Sequence, residues 1–218
     1  MNWEYIGQLF VGISDGVQYT LILFFVTIIL SVPLGLMLAF ARMSKYKLVS
    51  GITAGYIWVM RGTPLLLQLF FFCYGITVIQ GIGPYLVMDR IVAALIAFVL
   101  NYAAYFCEIF RGGILSIDKG QYEASKVLGF SRWQRTVRIV VPQMLRVCLP
   151  AISNESITLV KDTALVTAIG IMELMYFTKA AVNRDSNPLA FVVVAVFYLA
   201  MTYILTQFFK YLEKRFSY

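Results

Sequence analysis

From Val17 to Ala41 the chain runs for twenty-five residues without a charged side chain, and four more stretches of similar character follow it. A segment of roughly 20 apolar residues is long enough to cross the hydrocarbon core of a bilayer as a helix, and only helices or closed barrels can do so without stranding backbone N–H and C=O groups in lipid. The five stretches are Val17–Ala41, Ile52–Ile79, Ile91–Phe110, Val147–Ile171 and Leu189–Phe209. A composition of 61% hydrophobic against 13% charged residues, with a mean hydropathy of +0.80, agrees with this pattern and lies far from that of a soluble domain. The expected fold is therefore all-α and integral to the membrane, one transmembrane domain over residues 1–218 with no room for a large soluble unit.

Several functional classes fall away on composition. The formal charge of +7 is distributed between apolar segments rather than along one basic face, which fits membrane topology and argues against a nucleic-acid partner. There is no histidine, so imidazole acid–base chemistry and the commonest metal ligand are both missing. Cys73, Cys107 and Cys148 lie in or beside apolar segments without CxxC spacing and read as small buried hydrophobes. Residues Met1–Tyr19 lack the cationic start and compact apolar centre of a cleavable signal.

An odd number of crossings places the termini on opposite sides. Of the 18 cations, 13 fall in the first loop (Arg42 to Lys47), the third loop (Arg111 to Arg146) and the C-terminal end (Lys210 to Arg215), against Arg90, Lys179 and Arg184 on the opposite side. The positive-inside rule then puts the N-terminus outside, the C-terminus inside and the third loop in the cytoplasm. No internal repeat is visible, so a two-fold pathway would require a second subunit.

That third loop contains "YEASKVLGFSRWQRTVRIVVPQ". "GQYEASKVL" favours a short helix, Gly129 sits where a left-handed residue would end it, and Ser131 with Gln134 makes an S-x-x-Q capping box for a second, basic amphipathic helix that Pro142 is expected to stop. Two readings of this helix–turn–helix stand: a loop resting on the inner lipid surface, or a rigid hook for a partner.

Polar residues within the apolar stretches form stripes. Asn101, Tyr105 and Glu108 are spaced i, i+4 and i+7 along the third crossing, and Glu155, Thr158 and Asp162 share a face of the fourth, with Lys161 about a third of a turn away. Arg61 and Thr63 flank a helix-breaking Gly62 and Pro64 in the second. Each has a structural reading: Glu108 with Arg111 as the end of a crossing, Arg61 in an ion pair, Asn101 and Tyr105 as interhelical hydrogen bonds. For Glu155 and Asp162 a wet cavity or a cation is needed to keep two acids ionised on one membrane-embedded face.

The segment "EASKVLGFSRWQRTVRIVVPQ" resembles the E-A-A-x-x-x-G loop of ABC-importer membrane subunits, with Ser125 where that family usually has its second alanine. "RGTPLLLQLFFF", "NYAAYFCEIFRGGI", "KGQYEASK", "LPAISNESITLVKDTALV" and "LEKRF" extend the resemblance to the polar amino acid branch of that family, in order, from about Gly16 to Phe216. The resemblance implies a type I ABC importer transmembrane domain, a multi-pass subunit of a prokaryotic inner or plasma membrane whose 119–146 loop docks on a cytoplasmic ATPase through Glu123, Ala124, Gly129 and Trp133. It implies as partners two ATPase copies, a second permease copy as homodimer or heterodimer, an extracytoplasmic substrate-binding protein, lipid, and an amino acid substrate.

With no G-x-x-x-x-G-K-[ST] stretch the chain has no means of its own to cradle ATP, so the nucleotide belongs to the partner, the chain needs no cofactor, and it is a transport subunit rather than an enzyme. An amino acid brings an ammonium, or a cationic side chain, for Glu155 and Asp162, and a carboxylate for Arg61, the Thr63 hydroxyl and the amides near Pro64, with Thr158, Asn101 and Tyr105 as further substrate-binding candidates. Two rivals are a secondary transporter or channel, which would predict an internal repeat, and an intramembrane rhomboid-type protease, which would need a histidine and a G-x-S-x-G elbow.

Overall fold

The computed structural model describes residues 3–81 and 83–216, and among them helix is the only regular secondary structure. The crossings are α2 (Val17–Arg42), a bent pair α3 (Lys47–Gly62) and α4 (Leu65–Phe70), α5 (Arg90–Leu115), α8 (Val141–Asp162) and α10 (Leu189–Phe216). By length and hydropathy four helical stretches can cross a membrane, and the bent pair brings the number to five.

Helix α5 is the axis of the fold. Its rings Phe98, Tyr102, Phe106 and Phe110 recur every four residues, all essentially buried, with successive centroids 6.2–6.4 Å apart. Against it α2 presents Thr27, Ser31, Gly35 and Ala39, again four apart and fully or nearly buried. Small residues in such a stripe let two backbones approach, which drives packing where lipid removes any hydrophobic gain. At Gly35 the approach is closest: a Cβ there would lie 2.6 Å from the Phe106 Cβ and 3.0 Å from the Ala103 carbonyl oxygen.

The second crossing departs from the straight span expected over Ile52–Ile79. Pro64 has no N–H and forces Thr63 into extended backbone (φ −117°, ψ 145°), so α3 ends and the chain turns by 105° before α4. The fourth crossing also starts earlier than Val147. A short helix α7 (Arg132–Arg135) passes through a π-helical stretch, Thr136–Val140, straight into α8, so Pro142 does not stop the helix. Proline at a first-turn position costs no hydrogen bond that α8 would otherwise make, and the widened π turn accommodates the ring. Beyond α8 a 3₁₀ turn, Thr163–Ile169, closes at Gly170 in the left-handed region (φ 78°).

Two elements were not expected from hydropathy. Helix α1 (Trp3–Ser14) buries Leu9 and Ile13 against α9 (Leu174–Asp185) and α10, in a second apolar cluster with Leu174, Ala190, Val193 and Val194. The Tyr5 hydroxyl donates to Asp185 Oδ2 at 2.9 Å, tying α1 to the end of α9. Arg184 grips the same carboxylate through two hydrogen bonds of 2.7 Å, and together with Tyr5 it holds Asp185 down at a pKa of about 2.

Candidate functional site

The break at Thr63–Pro64 is where the candidate site begins. Residues 61–65, one face of α5 and one face of α8 enclose a cavity of about 520 Å³. Arg61, Thr63, Asn101, Tyr105, Glu155, Thr158 and Asp162 all line it, together with Gly62, Pro64, Leu65, Tyr102 and Leu165. The stripes on the third and fourth crossings thus face one another, and the bend swings the end of α3 in between. Lys161 lies outside the lining and is exposed.

Charges of both signs share this space without pairing. The Arg61 guanidinium stands over the Tyr105 ring, 5.1 Å from its centroid, a cation–π contact. Among the described residues it makes no ion pair with Glu155 or Asp162. Asp162 accepts a hydrogen bond of 2.7 Å from the Tyr102 hydroxyl, whereas Glu155 accepts none from the described residues. A half-buried carboxylate with no donor, opposite an unpaired guanidinium, leaves room for a ligand that carries both charges. Glu108, one of the stripe residues, is instead engaged by Arg111 through three contacts of 2.6–3.1 Å near the end of α5, as its end-of-crossing reading requires.

The spacing argument passed over two residues at this site. Tyr102 lies on the core side of α5 and reaches Asp162 only because α8 passes on that flank. Gln68, in an apolar run and 6% exposed, sits four residues beyond Pro64 and bonds back across the break. A third acid, Glu173, is fully buried away from the cavity and is not part of the site. It caps α9 by accepting from the Tyr176 N–H (3.0 Å), and also accepts from the Tyr198 and Thr167 hydroxyls, so it joins three elements.

At the far end of α8 the connecting loop is a two-armed hook. Helix α6 (Lys119–Val127) opens with the Asp118 carboxylate accepting from the Gly120 N–H at 2.7 Å. It ends with Gly129 at φ 75°, the Gly129 N–H bonded to Lys126 O and the Phe130 N–H to Ser125 O, both 3.0 Å: a Schellman close. The Ser131–Gln134 capping box forms in both directions and starts α7. The arms are cross-tied by Arg135 over the Tyr122 ring and by a Gln143–Gln121 amide bond of 3.2 Å. Ser125 is buried at the inner face, which explains why only a small residue fits there. Outward the hook presents Glu123, Ala124 and Gly129 with an apolar patch of Val127 (87% exposed), Leu128 (72%) and Trp133 (74%), too exposed for a finished surface.

The family model described as "Binding-protein-dependent transport system inner membrane component" matches residues 31–218. The chain is 35% identical to a probable amino-acid ABC transporter permease protein of Bacillus subtilis, over 100% of this chain and 97% of that one. It is 34% identical to a histidine/lysine/arginine/ornithine transport system permease protein of Escherichia coli, covering 94% and 93% of the two chains. Among solved structures it resembles an amino acid ABC transporter crystallised with histidines, with a TM-score of 0.87, 28% identity and 99% coverage of both chains. A methionine ABC transporter with a TM-score of 0.74 and 18% identity, covering 100% of both chains, shares the fold.

Proposed function

Because the chain belongs to the family of binding-protein-dependent transport system inner membrane components, whose members are transport subunits driven by a separate ATPase, we propose that it forms the translocation pathway of an importer for polar amino acids and binds the amino acid in the cavity between α3, α5 and α8. The observation that carries this is the unpaired Arg61 sharing one cavity with Glu155 and Asp162. A free α-amino acid is a zwitterion whose two charges need opposite partners. Glu155, Asp162 and Asn101 meet the ammonium, Arg61 meets the carboxylate, Thr63 forms the wall beside Arg61 with its hydroxyl proton given to Val59 O at 2.9 Å, and Thr158 and Tyr105 line the side-chain space. The names of the Bacillus and Escherichia relatives support an amino acid as cargo.

In this reading the N-terminus is outside and the C-terminus inside, so the 119–146 loop of the single transmembrane domain faces the cytoplasm. Glu123, Ala124, Gly129 and Trp133 then present the hook to an ATPase. A working importer contains two ATPases, two permease chains of this kind, identical or sibling, and an extracytoplasmic binding protein. Arg61 is exposed and Glu155 half-buried in a single chain, where lipid would be a poor neighbour for either, and a second permease chain covers them.

The test is direct binding of a panel of amino acids to the purified permease–ATPase complex without its binding protein. Glu155→Gln and Asp162→Asn should weaken the preferred amino acid by roughly tenfold or more, the value of a charge-assisted hydrogen bond of about 1.5–3 kcal/mol. Unchanged affinity in both variants would remove the acids from the site.

A further inference from the structure

We infer that Gln68 is a positioning residue for this site: it fixes the amide of Asn101 so that the Asn101 oxygen, rather than its nitrogen, is offered to the substrate's ammonium. The inference rests on the reading of the cavity as the substrate site and assigns a role to a residue outside its lining.

In an unbroken helix the N–H of residue 64 would donate to the carbonyl of Met60, but proline has none, and that carbonyl is orphaned inside the protein. Two side-chain amides replace the missing donor. Gln68 Nε2 donates to Met60 O at 2.9 Å, and Asn101 Nδ2 donates to the same oxygen at 2.9 Å. Gln68 Nε2 also donates to the Thr63 hydroxyl oxygen at 2.8 Å, with a longer contact of 3.3 Å to the Thr63 carbonyl. The amide oxygen of Gln68 in turn accepts the remaining proton of Asn101 Nδ2 at 3.1 Å.

A primary amide has two N–H protons, and Asn101 uses both, one on Met60 O and one on Gln68 Oε1. Turning the Asn101 amide over would aim its oxygen at two acceptor oxygens, so Gln68 and Met60 together forbid the flip. Asn101 is 5% exposed and lines the cavity, and its own oxygen accepts no hydrogen bond from any described residue. The oxygen is thus the one polar atom Asn101 has left for a ligand, and as an acceptor it suits an ammonium. Gln68 also donates to the Thr63 hydroxyl, so the same side chain fixes two residues of the cavity wall.

The experiment measures binding to the purified permease–ATPase complex in nanodiscs. L-arginine, L-lysine, L-histidine and L-glutamine are titrated, and the tightest of them is compared with the same molecule lacking its α-amino group. Wild type should prefer the amino acid by at least tenfold. In Gln68→Leu that ratio should fall severalfold, because the Asn101 amide is released, and the Gln68→Leu/Asn101→Leu pair should lower it no further than Asn101→Leu alone. Gln68→Met keeps the side-chain length but neither donates nor accepts in the amide's place; it should lower the ratio in the same way, and it serves as the readable variant if Gln68→Leu does not assemble. A ratio in Gln68→Leu equal to wild type, or a double variant additive with the singles, overturns the role of Gln68 while leaving the cavity reading intact. Failure of wild type to bind any of the four, or to discriminate the α-amino group, overturns the cavity reading itself and this inference with it.

Discussion

Replacing Gly129 tests whether the angle of the hook between α6 and α7 governs coupling. The residue sits at φ 75°, and a Cβ added there would meet nothing within 4 Å, so the cost of a side chain is conformational rather than steric. Holding a non-glycine residue in the left-handed region costs roughly 1–2 kcal/mol, with β-branched side chains at the upper end. Leaving that region would break the two 3.0 Å bonds that close α6, worth together about 1–3 kcal/mol. The two routes are close in cost, so Gly129→Val should populate strained and opened turns together, lowering the ratio of closed to opened turns by about five- to thirtyfold. Asparagine tolerates the left-handed region, and Gly129→Asn should be much milder. The assay is co-purification of the ATPase with the permease, and substrate-stimulated ATP hydrolysis, at matched membrane insertion. Wild-type coupling in Gly129→Val, or equal damage from asparagine and valine, would show that the turn geometry does not matter.

Three further outcomes follow from other parts of the fold. Gly35→Ala drives a methyl against Phe106 and the Ala103 carbonyl and should destabilise the complex by about 1–3 kcal/mol in a thermal melt, whereas Gly112→Ala, with nothing within 4 Å, should be neutral or mildly stabilising. A cysteine introduced at Gln134 should be shielded from membrane-impermeant maleimide in intact cells, and labelling from outside would reverse the proposed topology. Asp185 has its folded pKa depressed to about 2, so its tie to Tyr5 and Arg184 is fully present above an ordinary carboxylate pKa of about 3.9 and is lost as pH falls from about 4 toward 2. Hydrogen exchange of α1 should quicken over that interval in wild type and be insensitive to it in Asp185→Asn.

What could be read in advance, and what could not, divides along a physical line. Each crossing is a local property: twenty apolar residues suffice to declare one, and the five expected segments each contain or overlap a crossing of the fold. The stripes on α5 and α8 are local too, since helical spacing alone puts Asn101 with Tyr105 and Glu155 with Asp162. Their meeting across one cavity depends on how α3, α5 and α8 pack, and the same packing brought in Tyr102, one residue from Asn101 yet on the core side of the helix. Helix α1 is hidden in the hydropathy pattern because Glu4 and Gln8 dilute a segment only twelve residues long, whose apolar face is covered by α9 and α10 rather than by lipid. Pro142 misled for a different reason: it was read as a stop, but proline is tolerated in a first helical turn, and a π turn upstream made that position available. Gln68 carried a legible sign, an amide four residues after a proline whose missing N–H leaves a carbonyl in want of a donor.

The unbroken helical path from Arg132 to Ile169 has a consequence for how this sequence can vary. Trp133 on the hook and Glu155 and Asp162 in the cavity are stations on one rod, and their relative bearing is fixed by the number of residues between them. Each residue added to or removed from an α-helix turns everything beyond it by about 100° and shifts it 1.5 Å. Substitutions along Met144–Ser153 leave that bearing untouched, and at the exposed Leu145 and Val147, away from the buried Met144, Cys148 and Ser153, side chains are free to change with the lipid or the neighbouring helix. A single insertion in the same interval would rotate both carboxylates off the cavity while the hook still fitted its ATPase. The outward positions of the segment are therefore tolerant in composition while the whole is intolerant in length, and a one-residue insertion there should give a complex that assembles and hydrolyses ATP yet carries nothing across.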